Sequence, residues 1–140
     1  MSFTDEEVAY IRSQRLARVA TVAADGQPDV VPVGYEFDGT YFYIGGMDPA
    51  NTRRARNIEA GNEKVALVID DLASVSPWSP RYLRVYGTAE LVERQNQFGR
   101  QQVMKVTPAV SWSVNLSGRP LSDHRGQIGP RRTVHQGGSA

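Results

Sequence analysis

The chain has 140 residues, a net charge of +1, 40% hydrophobic and 22% charged residues, and no cysteine. A single domain of that size buries roughly two-thirds of its unfolded surface, its near-neutral balance excludes a global nucleic-acid-binding footprint, and the missing thiols exclude disulfides, Fe–S clusters, thiolate nucleophiles and thiolate zinc sites. No run approaches the roughly 18 apolar residues of a membrane span, and the polar, acidic start is unlike a secretory signal, so a cytoplasmic protein with no membrane or nucleic-acid partner is expected.

In chain order, Thr4-Asp5-Glu6-Glu7 opens a helix. Thr4 caps it, Glu7 completes a capping box and Phe3 staples onto Val8. Arg12 and Arg15 suit the negative end of its dipole, and the helix ends near Gln14 or Arg15. The apolar period then drops to two. Residues 16–23, 30–37 and 40–45 read as strands separated by the turns Asp25-Gly26 and Asp38-Gly39, a strong hairpin signal. Pro32 places the second strand at an edge, a bulge or a barrel opening.

After the loop 45–50 comes a short helix from Arg53 to about Ala60, capped by Asn51 or Thr52 and closed by Gly61. Residues 65–69 and 82–91 read as strands, 93–105 as a helix weakened by Gly99, and 110–116 as a sixth strand with one buried face. Residues 1–118 form the domain. Residues 119–140 are too poor in apolar groups for a core of their own and form an extension packed on the barrel or a neighbouring subunit, with a disordered end. The expected class is α+β, mainly antiparallel: a six-stranded split β-barrel with two or three flanking helices.

Three features carry candidate chemistry. Arg53, Arg54 and Arg56 crowd the first turns of the second helix, where the dipole disfavours cations by about 0.3–1 kcal/mol each. An anion would compensate, and helix amides with arginine forks suit a phosphate; solvated arginines paired with Glu59 or Asp48 are the plainer reading. Arg53, Arg56 and Asn57 share one face, and Arg54 points elsewhere. Next, Arg81 and Arg84 are interleaved with Trp78, Tyr82 and Tyr86, as a pocket for a flat anionic ligand or a wet barrel face would have them. Third, in Val31-Pro32-Val33-Gly34 the backbone can approach a ring closely, unless these residues only bend the barrel. Asp70-Asp71 reads as a turn, and no metal site is expected. His124 and His135 fall in the polar tail and read as solvated loop histidines. No residue stands out as catalytic.

The blocks Leu16-Ala17-Arg18-Val19-Ala20-Thr21-Val22, Asp25-Gly26-Gln27-Pro28, Val31-Pro32-Val33-Gly34-Tyr35, Thr52-Arg53-Arg54-Ala55-Arg56-Asn57-Ile58 and Leu83-Arg84-Val85-Tyr86-Gly87-Thr88-Ala89 resemble, in order and spacing, the pyridoxamine-phosphate-oxidase-like split-barrel superfamily. Within it the chain resembles the coenzyme-F420-dependent oxidoreductases, in the subgroup that includes a tetracycline-pathway reductase. The resemblance spans about residues 4–117 and implies a homodimer with cofactor sites at the subunit interface. It implies that Thr52, Arg53, Arg56 and Asn57 meet the cofactor phosphate and that Val31, Pro32, Val33 and Gly34 lie along the tricyclic ring. Trp78, Arg81, Tyr82 and Arg84 would close the pocket, some of them from the partner.

The family's usual phosphate-site lysine is an arginine here, which keeps charge but changes geometry. No signature for a pyridoxamine-phosphate substrate is evident in the C-terminal part, so vitamin B6 oxidase activity is not implied. FMN and F420 share a tricyclic core and ribityl phosphate. The arginine excess, with Arg15 and Arg54 available for a polycarboxylate tail, favours F420 over FMN. The resulting expectation is a reductase moving hydride from reduced deazaflavin to an activated double bond of a small organic substrate, with Tyr35, Tyr82 or solvent as proton source. The alternatives are an FMN-dependent oxidase or reductase, or a non-catalytic flavin, deazaflavin or haem binder.

Overall fold

Helix α1 (Asp5–Ser13) begins as its first residues dictate. The Thr4 hydroxyl accepts from the Glu7 amide at 3.1 Å, and the Glu7 carboxylate accepts from the Thr4 amide at 2.9 Å. One face of α1 then buries Glu7, Tyr10 and Ile11. The computed structural model describes residues 2–97, 99–123 and 129–135.

The strands are β1 (Ala17–Val22), β2 (Pro28–Val33), β3 (Glu36–Phe37), β4 (Phe42–Ile44), β5 (Lys64–Ser74), β6 (Ser79–Asn96), β7 (Gly99–Val114) and β8 (Arg131–Val134). All pairings are antiparallel, in the order β2-β1-β5-β6-β7-β4-β3, with β8 beside β7. The described strands thus number eight rather than six. Their hydrogen-bonded order is an open path, not a closed barrel. The expected second strand divides: β2 stops at Val33, and Gly34-Tyr35 separates it from β3. Among the described residues no helix is long and apolar enough to cross a membrane.

The core lies on the inner sheet face, where Val19, Leu67, Ile69, Leu83, Val85 and Val106 are fully buried with Phe42, Ile44 and Ile11. Each such side chain stabilises the fold by about 1.5–3 kcal/mol relative to exposure. Helix α2 (Arg53–Glu59) adds Ala55 and Ile58. Gly87 permits a close approach of β6 to β7 at a register shift: a Cβ there would stand 2.4 Å from the Thr107 carbonyl oxygen.

The expected helix over residues 93–105 is a hairpin instead. Strand β6 runs to Asn96 and β7 starts at Gly99, whose φ of +98° suits the turn and not a helix. Cross-strand register sets Glu90 opposite Lys105, and the pairing buries Val103, Met104 and Val106. A helix would have had to carry Gly99 in its interior at about 1 kcal/mol.

Part of the polar tail also enters the sheet. Strand β8 pairs with β7 from Val110 to Ser113. His135 is correspondingly not a solvated loop residue: it is 8% exposed, shares a 2.8 Å hydrogen bond with the buried Ser111 hydroxyl and lies 4.3 Å from the Phe3 ring. Burial lowers its pKa below the ordinary histidine value. His124 and the expected disordered end lie outside the described residues.

Candidate functional site

A groove of about 370 Å³ opens where the end of β2, the end of β4 and the β6–β7 hairpin meet. Gly34, Gly45 and Gly46 give it bare backbone walls, and Tyr35, Tyr43 and Arg94 supply its larger side chains. A Cβ on Gly34 would meet nothing within 4 Å, so the backbone there faces open space. The Tyr35 hydroxyl is tied elsewhere. It donates to the Ile11 carbonyl at 2.5 Å and the Gln14 carbonyl at 3.2 Å, closing the end of α1, and burial pushes its pKa up to about 12. Tyr35 therefore holds a wall and is a poor proton donor to the groove.

Helix α2 is joined to this rim by Arg54, whose guanidinium donates to the Gly45 carbonyl at 3.1 Å. Arg54 is half-buried and burial lowers its pKa, so its charge is held against a desolvation cost. Thr52 caps α2: its hydroxyl accepts from the Ala55 amide at 3.2 Å and donates to the Pro49 carbonyl at 2.8 Å. Arg53 and Arg56 are exposed. Asn57 faces inward: it is 5% exposed and its amide donates to the Thr21 hydroxyl at 2.8 Å, pinning α2 to β1. The face shared by Arg53, Arg56 and Asn57 therefore splits into two exposed cations and one buried anchor.

The other expected site residues fall in two further places. Sheet register sets Pro32, Arg18, Val68, Arg84 and Trp112 in one row across β2, β1, β5, β6 and β7. Pro32 and Arg84 are three strands, roughly 14 Å, apart. Tyr82 and Tyr86 flank Arg84 on the same outer face. The Arg84 guanidinium lies 4.2 Å from the Trp112 ring centroid and 5.3 Å from that of Tyr86, and its Nε is buried without a hydrogen-bond acceptor. Val31 and Val33 point to the opposite, core face. The outer face also exposes Val30, Val22 and Tyr86 and holds a cavity of about 500 Å³ bounded by Ala20, Val22, Tyr86 and Val110.

Trp78 and Arg81 lie at the β5–β6 turn. Trp78 is exposed, and its carbonyl accepts from the Leu121 amide at 3.0 Å. Arg81 makes a two-pronged ion pair with Asp71 at 2.8 and 2.7 Å, and Tyr10 donates to the same carboxylate at 2.8 Å. The paired arginine holds the Asp71 carboxyl below its usual range, while burial and that carboxylate push the Tyr10 hydroxyl up. This cluster ties α1 to the sheet.

Of the α2 arginines, Arg54 reaches the groove rim through Gly45, while Arg53 and Arg56 stand exposed on another face of the helix. Pro32, Tyr82 and Arg84 form an outer-face group, and Trp78 and Arg81 stand apart. Sequence reasoning missed Tyr43, Glu36 and Arg94, because it put Arg94 on a helix. Residues 93–97, Glu93-Arg94-Gln95-Asn96-Gln97, are all polar, so no apolar alternation marks the strand there, and Gly99 was the available signal. At two separate places an arginine stacked on an aromatic ring, the chemistry a flat anionic ligand needs, carries a buried Nε without an acceptor: Arg84 on the outer face and Arg94 in the groove.

Comparison with known proteins gives the family. The chain is 35% identical over 123 residues to 5a,11a-dehydrotetracycline/5a,11a-dehydrooxytetracycline reductase of Streptomyces rimosus, spanning 81% of this chain and 85% of that one. A solved structure from Lactobacillus delbrueckii, named as a provisional pyridoxamine 5'-phosphate oxidase, is 27% identical with a TM-score of 0.60, covering 79% and 93% of the two chains. A solved F420 reductase shares the fold at 22% identity and a TM-score of 0.55, covering 69% and 88%. The family model described as pyridoxamine 5'-phosphate oxidase matches residues 3–125, and the chain belongs to that family.

Proposed function

We propose that the protein is a cytoplasmic oxidoreductase that uses reduced coenzyme F420 to reduce an activated double bond of a small organic substrate. The observation that carries this reading is the 35% identity, over most of both chains, to a reductase. When bound, the reduced cofactor supplies the hydride. The chain supplies position and charge. The groove walls of Gly34, Gly45 and Gly46 let a flat ring approach the backbone. Arg53 and Arg56 offer exposed cations at the start of α2 for a phosphate, and Arg54 steadies the groove rim through Gly45. With the Tyr35 hydroxyl committed to α1 and Tyr82 on the outer sheet face, solvent returns the proton in the groove.

The active form in this reading is a homodimer with cofactor sites between subunits. The apolar outer face, with Val30 64% exposed, favours cover by a second copy. That copy would bring an acceptor or a ligand up to the buried Arg84 Nε.

The test is transfer of label. F420 reduced with deuterium at the donor carbon, mixed anaerobically with the full chain and a 5a,11a-dehydrotetracycline acceptor, is expected to yield monodeuterated product. Deuterium-free product formed only with reduced FMN would assign the protein to flavin chemistry instead. No turnover with either cofactor across a panel of conjugated acceptors would remove the reductase reading.

A further inference from the structure

Arg94 is placed in an unusual way for a surface arginine. It projects from β6 into the 370 Å³ groove, with its guanidinium 3.7 Å from the Tyr43 ring centroid. Stacking at that distance fixes the plane of the cation. Its Nη2 donates to the Glu36 carboxylate at 3.2 Å, and its Nε is buried with no acceptor. Glu36 is 59% exposed, so the carboxylate partner sits on the solvent side of the pair. An exposed pair of this kind contributes little and is readily exchanged.

The rest of the groove has the complementary character. Gly34, Gly45 and Gly46 give it bare backbone, with the Arg54 guanidinium bonded to the Gly45 carbonyl. Among the described residues that line the groove, Arg94 is the one cation, held beside the Glu36 carboxylate. We infer that Arg94 selects an acceptor substrate that is flat and carries an ionised oxygen, an enolate or phenolate, conjugated to the bond reduced. The ligand oxygen displaces Glu36 from Nη2 and pairs with the guanidinium held against the Tyr43 ring. Glu36 acts as a placeholder that keeps the cation satisfied between ligands. This assignment rests on the reading of the groove as the reductase's substrate site.

A matched pair of probes tests it. 2-Hydroxy-1,4-naphthoquinone is an anion at neutral pH, and 2-methoxy-1,4-naphthoquinone is its neutral counterpart. Each is titrated calorimetrically into the full chain, with and without saturating oxidised F420 or FMN. The wild-type protein is expected to prefer the anion. Arg94→Gln should weaken the anion roughly tenfold while leaving the neutral probe within about twofold. Arg94→Lys should fall between, keeping charge but losing the planar fork. Glu36→Gln, which removes the competing carboxylate, should tighten the anion roughly threefold.

Equal affinities of the two probes in wild type, or a preference for the anion that survives Arg94→Gln, overturns the assignment. If Arg94→Gln unfolds the chain, the sign of the Glu36→Gln effect decides: weaker or unchanged anion binding overturns it. Failure of both cofactors to bind would instead defeat the reductase reading, and the probe titrations without cofactor would still judge Arg94 by themselves.

Discussion

Arg81 and Arg94 stand near opposite ends of one strand, β6, and differ in how their guanidinium groups are satisfied. Arg81 gives Nε and Nη2 to Asp71, gives Nη1 to the Leu116 carbonyl at 3.3 Å, and lies 4.9 Å from the Tyr10 ring centroid. Arg94 has one carboxylate contact on the solvent side, one ring and an Nε with no acceptor. A saturated arginine stabilises the fold. An under-satisfied one costs stability and holds donors in reserve. Arg84, stacked on Trp112 with its own vacant Nε, belongs with Arg94. The comparison teaches that arginines alike in sequence divide into saturated and under-satisfied ones by their partners.

The largest effect expected from this division is on stability. Asp71→Ala leaves Arg81 and the Tyr10 hydroxyl without their acceptor and should destabilise the chain by about 1–3 kcal/mol in urea unfolding. Cofactor affinity of the folded protein should not move; a shift there would place Arg81 in the site after all. Arg84→Met should do the reverse. It replaces a half-satisfied cation with an apolar side chain, so stability should stay within about 0.5 kcal/mol of wild type or rise. Cofactor affinity should fall roughly tenfold by fluorescence titration.

A smaller effect is expected at α2. Arg56→Ala should weaken cofactor binding roughly fivefold, more at low salt than at high, with no change in melting temperature. An unchanged dissociation constant would remove the phosphate role. The smallest effect is a pH dependence of stability. His135 has a folded pKa below its unfolded value of 6.5 because burial disfavours the cation. The unfolded chain therefore binds more protons, and the stabilisation is full above the unfolded value and is lost as pH falls through the folded one. Thermal melts should drop as pH falls below the ordinary histidine value of about 6.5, and His135→Asn should flatten that slope. Asp71 adds a second loss on the acid side, below about pH 4, because Arg81 holds its carboxyl down.

Much of the scaffold was readable residue by residue. Thr4 and Glu7 sit three apart and form the capping box they spell out. Asp25-Gly26 and Asp38-Gly39 turn where they should, with both glycines at positive φ. Local chemistry settles such elements, because the partners are a few residues away. The hairpin over 93–105 was not readable in the same way. Its strand character depends on Val103 and Met104 finding a core built by distant strands, and Gly99 suits either a poor helix or a good turn.

The site was legible in type and less so in place. Arg53, Arg56 and Gly34 carry local signals of charge at a helix start and of bare backbone. Asn57 shares the helical face of the two arginines, yet Thr21, thirty-six positions earlier, draws it inward. His135 looked solvated because its strand-mate Ser111 is twenty-four residues away. Arg94 could not be assigned before the groove existed, since Glu36, Tyr43 and Gly34 come from other parts of the chain.

The most direct test of the account is a parallel fluorescence titration of the purified full chain with F420 and with FMN. F420 is expected to bind at least roughly tenfold more tightly, a difference of about 1.4 kcal/mol. Tighter binding of FMN, or binding of neither, would contradict it.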